Sequence, residues 1–216
     1  MNTISTIAVD GPDAFDFLQG QLTNDLTRLE SEAEILAAWC NPKGRVIWFG
    51  TVWAREAGFG LSAPAATAAE TIKRLTVFRF RSKVDFAIED EGATVDPGFL
   101  IQNGYPFIGA EQSEQFTPHM LNLDLLDAIN FDKGCYTGQE IVARTHYKGA
   151  TKRRTLRFES DTPVSVGDKV SDVSREIGEV LNASGTNLLA VVPIDKADTP
   201  LTVNGVKLTH QPLPYM

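Results

Sequence analysis

Cys135 is the residue whose surroundings point most directly to chemistry. It lies in Lys133-Gly134-Cys135-Tyr136-Thr137-Gly138-Gln139-Glu140. Thr137 followed by Glu140 has the spacing of a capping box, which predicts Thr137 as the N-cap of a helix running through Tyr147. Cys135 then sits two residues before the cap, near the positive end of a helix dipole, and Lys133 two residues further back. Both effects favour thiolate over thiol. A thiolate there would attack an electrophile, bind a soft metal or sense oxidants. The competing reading is a small buried hydrophobe, the common fate of a lone cysteine. Likewise Glu140 also reads as no more than a cap, and Gly134 and Gly138 as turn formers.

Other chemistries find little support. Cys40 and Cys135 are the only cysteines and form no zinc-ligand spacing, as in a reduced, cytoplasmic chain. His119, His146 and His210 are dispersed, and Asp124 and Asp127 show no catalytic pairing. Gly58-Phe59-Gly60 lacks the rest of a dinucleotide fingerprint. The 216 residues carry a net charge of -8. That balance argues against broad binding to nucleic acid or an anionic membrane. The first ten residues lack the pattern of a signal peptide, and no apolar run is long enough to span a bilayer.

The elements that must position the cysteine follow from periodicity. Thr3 to Val9 reads as a strand, and Gly11-Pro12-Asp13 starts a helix with apolar Ala14, Phe15, Phe17, Leu18 and Leu22. Ile35 to Trp39 and Val46 to Trp53 read as strands joined by the turn Asn41-Pro42-Lys43-Gly44. Phe59 to Ser62 and Lys83 to Ile88 read as strands, and Pro64 to Leu75 as a helix. Glu89 to Thr117 is irregular, and Leu123 to Ile129 reads as a short helix. Beyond Thr151, short β-like runs alternate with Gly, Asp and Asn turns, including one run from Leu201 to Leu208. That texture predicts a small antiparallel barrel or sandwich, with a boundary near residue 150.

The octapeptide around Cys135 resembles the signature of the YgfZ family, relatives of the glycine-cleavage T-protein. Other segments agree in order: Phe17-Leu18-Gln19-Gly20-Gln21-Leu22-Thr23-Asn24-Asp25, then Cys40-Asn41-Pro42-Lys43-Gly44-Arg45, Asn122-Leu123-Asp124, Ile141-Val142-Ala143-Arg144, Lys148-Gly149-Ala150 and Pro212-Leu213-Pro214-Tyr215. The resemblance implies an α+β chain. Residues 1–149 would form a T-protein-like folate-binding core, and residues 150–216 a C-terminal antiparallel β-barrel. The chain is shorter than the family's three-part cloverleaf, so most of the middle lobe, between about Glu89 and Phe99, is expected to be missing.

The resemblance further implies a folate-binding accessory protein for assembly or repair of iron–sulfur clusters, linked to tRNA modification. Its ligand would be tetrahydrofolate or a derivative, and its partners iron–sulfur client or carrier proteins. Cys135 would be the working residue, with Lys133 tuning it. Folate contacts are expected from Asn24, Arg45, Trp48, Gln102, Tyr105, Tyr136, Gln139 and Arg144; Lys43 and Arg79 are further candidate cations for its glutamate tail. One alternative is a folate-dependent aminomethyl transferase; a second is a nucleic-acid module using Lys148, Lys152, Arg153 and Arg154, against which the net charge of -8 counts. In the T-protein relatives a hairpin aspartate acts on the folate. Alignment through Asn41, Gly44, Val46 and Ile47 puts Trp48 there, and an indole has no base to offer. Many relatives have glutamate at Gln102, so pterin affinity is expected to be modest. Trp48 also reads as a core residue on a buried strand.

Overall fold

A computed structural model describes residues 2–149 and 151–216. The boundary expected at Ala150 therefore lies outside the described residues. Strands β1 (Asn2–Asp10), β2 (Ile35–Cys40), β3 (Val46–Arg55), β4 (Gly58–Pro64) and β5 (Asp85–Val95) form one antiparallel sheet in the order β2-β3-β4-β1-β5. Helices α1 (Ala14–Gln19) and α2 (Ala65–Phe78) cover one face. Their apolar sides close a core with Ile7, Leu61, Trp39 and Trp48. Because β2 and the first half of β3, Val46 to Phe49, are covered on both faces, they are apolar throughout rather than alternating.

No middle lobe interrupts the chain at β5. The strand runs to Val95, and Asp96 then caps α3 (Pro97–Asn103) by accepting from the Gly98 amide at 2.9 Å. The expectation of irregular chain from Glu89 onward is thus corrected, although residues after Gly104 do run without regular structure. Pro97 at the first helical turn and left-handed Gly104 at the C-cap are the signals that define α3. The helix expected over Leu123 to Ile129 is a succession of turns instead. Asn122 and Asp127 both take positive φ, which a continuing α-helix excludes.

After α4 (Gln139–Lys148), strands β6 (Arg153–Ser160), β7 (Lys169–Ser171), β8 (Glu176–Ser184), β9 (Asn187–Pro193), β10 (Leu201–Val203) and β11 (Val206–Gln211) close a six-stranded antiparallel barrel. The single run expected from Leu201 to Leu208 is two strands, split at Asn204-Gly205, where both residues take positive φ.

A second core lies between the other sheet face and the barrel. Ala38, Cys40, Val46 and Phe49 meet Leu121, Leu123, Leu181 and Val191 there. Conserving geometry across this junction falls to polar residues. Asp124 takes Arg154 bidentately at 2.8 and 2.9 Å, the Asn122 amide donates to the Thr155 carbonyl at 2.7 Å, and the Tyr215 hydroxyl donates to the Gly104 carbonyl at 2.8 Å. Among the described residues no helix is long and apolar enough to cross a membrane.

Candidate functional site

The loop carrying Cys135 is fixed by polar contacts to the loop after α1. The Asn130 side chain accepts from the amides of Asp132 and Lys133, and the Asn130 amide donates to the Thr23 carbonyl at 3.0 Å. The Thr23 hydroxyl donates to the Ala128 carbonyl, and the Asn24 amide group to the carbonyls of Leu36 and Asp127. At the centre is Lys133, which is buried. Its ammonium donates to the carbonyls of Gln19, Leu22 and Asn24, each at 2.8 Å, and stands 5.5 Å from the Tyr136 ring centroid. Burial pulls its pKa down to about 8, with the nearby Asp25 carboxylate opposing the fall. Three acceptors match three ammonium donors, so the buried charge is fully bonded.

Two expectations are corrected by this geometry. Lys133 is turned into the Gln19–Asn24 loop and anchors Cys135 through the backbone rather than acting on its thiol. The capping box is not formed either. The Thr137 amide donates to the Gly20 carbonyl and its hydroxyl to the Gln21 side chain, while the N-cap of α4 is Gly138, with no side-chain cap. Gly138 has φ 83°, and a Cβ there would lie 2.5 Å from the Asn41 carbonyl oxygen. A left-handed glycine pressed on the hairpin turn takes the position the threonine would have needed.

Between the anchors Lys133 and Thr137, Cys135 is exposed. A Cβ on Gly134 would meet nothing within 4 Å, so this stretch stands clear of the surface. Cys40, by contrast, is buried, and burial pushes its thiol up to about 12. Of the two thiols, only Cys135 is available to a partner.

A cavity of about 400 Å³ lies elsewhere, between the sheet and the chain around α3. Leu36, Phe49, Gly50, Leu100, Tyr105 and Phe107 line it, with Glu34 and Thr51 among its polar neighbours. Of the eight expected folate contacts only Tyr105 is in this lining. Asn24 is buried and bonded within the Cys135 support. The Arg45 guanidinium donates to the Gln115 carbonyl at 2.6 Å, and Gln102 is exposed. Tyr136 is buried beside Lys133, and Gln139 and Arg144 are on α4. Trp48 is core: 2% exposed, its indole N–H on the Ser62 carbonyl.

A β-bulge explains the displacement of Trp48. Cys40 pairs with Val46 but Trp39 pairs with Trp48, leaving Ile47 as the extra residue. Val46 faces the barrel-side core, so regular alternation would have sent Trp48 the same way. The bulge places Ile47 and Trp48 together in the helix-side core and gives the cavity face to Phe49. Sequence reasoning missed Phe49 because both faces of β3 are apolar.

Comparison with known proteins decides the kinship. Residues 152–216 match the CAF17 C-terminal β-barrel domain. An uncharacterized protein of Haemophilus influenzae is 32% identical, over 72% of this chain and 71% of its own length. The tRNA-modifying protein YgfZ of Serratia proteamaculans is 26% identical over 295 aligned residues, covering 97% of this chain and 89% of that protein.

The chain belongs to the YgfZ family. The 295-residue span against a 216-residue chain means that the alignment is gapped. The fold is that of the T-protein. The crystal structure of glycine cleavage system aminomethyltransferase T from Bartonella henselae superposes with a TM-score of 0.74 at 15% identity, over 99% of this chain and 84% of that one. In this YgfZ-family chain the bulged hairpin presents Trp48 to the helix-side core and Phe49 to the barrel-side core, and neither side chain is a carboxylate.

A histidine cluster adjoins the family signature. His119 is buried, and neither ring nitrogen has a partner among the described residues. His146 stacks on Phe131 at 3.7 Å between centroids, and the two histidine rings are 6.1 Å apart. Burial lowers the His119 pKa; Asp124 opposes this, while Arg154 and His146 add to it. A lowered folded-state value means the unfolded chain binds more protons below the usual histidine range. Stability is therefore full above about pH 6.5 and falls as pH drops toward the folded value. His119→Phe is expected to flatten the dependence of the urea midpoint on pH between 5 and 7. An unchanged slope would mean that His119 does not titrate differently on folding.

Proposed function

We propose that this protein is a folate-binding accessory factor that supports assembly or repair of iron–sulfur clusters in client enzymes. The observation that carries the reading is the exposed Cys135, held on a loop whose buried lysine makes three bonds. One available thiol cannot satisfy a cluster that needs four ligands. The cluster is therefore cargo, shared with thiolates of a carrier or client. The name of the Serratia relative points to clients that modify tRNA.

Folate is proposed for the cavity beside Tyr105. Its size is in the range of small-molecule sites, and Leu36, Phe49, Tyr105 and Phe107 offer apolar and aromatic walls for a flat heterocycle. The Glu34 carboxylate is an acceptor for the amino edge of a pterin. No cation is among the lining residues, which fits modest affinity, because the glutamate tail gains no ion pair there. Aminomethyl transfer is not supported, since Trp48 and Phe49 provide no base.

Titration calorimetry with tetrahydrofolate tests the ligand. Binding is expected, weakened about tenfold by Tyr105→Ala through loss of ring packing. Absence of heat at millimolar folate would remove folate from the account.

A further inference from the structure

We propose that the exposed face of α4 and the adjoining end of the barrel bind single-stranded RNA. The chain is acidic overall, yet residues 141–158 contain no acid and six of its 20 lysines and arginines. Three of the six are committed within the fold: Arg154 to Asp124, Arg153 to the carbonyls of Ile177 and Val191, and Arg157 to the Gln102 carbonyl. Arg144, Lys148 and Lys152 remain exposed, with no ion pair among the described residues. Arg144 and Lys148 are one helical turn apart and so share a face of α4. Lys152 follows Lys148 by four residues, within about 14 Å even if the chain is fully extended.

Lys152 also opens onto a groove of about 660 Å³ at the end of the barrel, where Arg175 and Lys196 join it over Ile177 and Ile194. The Lys152 carbonyl accepts from the Ile194 amide at 3.0 Å, which ties the strip to the groove. Asp195 also lines the groove, and Lys196 pairs with Asp172, so the net field comes from Lys152 and Arg175. A polyanion complements this strip as it complements no average surface of an acidic protein.

An aromatic ring distinguishes nucleic acid from a merely acidic peptide. Tyr147 shares the α4 face with Arg144 and Lys148 and is 64% exposed. It stands edge-on to His146, 4.9 Å away at 84°, and to Phe131, 6.2 Å away at 70°. Two rings that are themselves stacked brace it, so its open face is pre-set for a base. Cations that track a backbone beside an exposed ring are the usual equipment for unpaired strands.

Fluorescence anisotropy with a short labelled polyuridylate and the full chain tests the proposal. Binding is expected to fall linearly with salt on logarithmic axes. Tyr147→Ala should weaken it about tenfold with little change in salt slope. Lys148→Ala with Lys152→Ala should reduce the slope by about 1.4, from ~0.7 per phosphate contact on a single strand. Cys135→Ala should bind RNA as the unaltered protein does, which keeps this test separate from that of the proposed function. The proposal is overturned by absence of binding at low salt, by a Tyr147→Ala variant that binds normally, or by polyglutamate competing as well as RNA. The last result would assign the face to an acidic protein partner.

Discussion

Lys133→Met should lower the free energy of unfolding by about 3–5 kcal/mol, as measured by urea denaturation. The substitution keeps most of the side-chain volume and removes only the ammonium. Three backbone carbonyls, of Gln19, Leu22 and Asn24, then lose their shared donor. Hydrogen bonds to a charged group contribute about 1.5–3 kcal/mol each, and relief of lysine desolvation offsets part of the sum. For a chain of this size the loss corresponds to roughly 10 °C in Tm. Lys133→Arg should recover only part of it, because a planar fork does not direct three donors at three converging carbonyls. A loss below about 1 kcal/mol would show that the two loops hold together without the lysine.

That role could not be read from the chain, because the three acceptors are backbone atoms 109 to 114 residues upstream. The same limit explains the failed capping box. Thr137 and Glu140 have the correct spacing, but the threonine meets Gln21 and Gly20, and Gly138 is forced left-handed by the hairpin turn. Trp48 was displaced by one bulged residue, which no pattern reveals in a strand apolar on both faces. Local signals fared better. The Asn41 turn sits between β2 and β3, where its side chain accepts from the amides of Lys43 and Arg45. The short strands after Thr151 do close a barrel, and its Asn204-Gly205 turn was a legible hairpin signal inside a run read as one strand. The motif resemblance, in turn, marked segments that the fold brings together: the Gln19–Asp25 loop and the hairpin turn both contact the signature.

Cys135→Ala should separate structure from function more sharply than any other change. The side chain is exposed, and its loop is held by Lys133, Thr137 and Asn130, so unfolding free energy should stay within about 0.5 kcal/mol of the unaltered protein. Loss of the one accessible thiol should nevertheless remove cluster handling, since Cys40 is buried and held protonated. The most direct measurement is the activity of an iron–sulfur enzyme in cells lacking the native protein, supplied with either form at equal soluble level and challenged with oxidant. The account predicts that Cys135→Ala leaves activity at the level of the uncomplemented cells, whereas full activity with Cys135→Ala would contradict it.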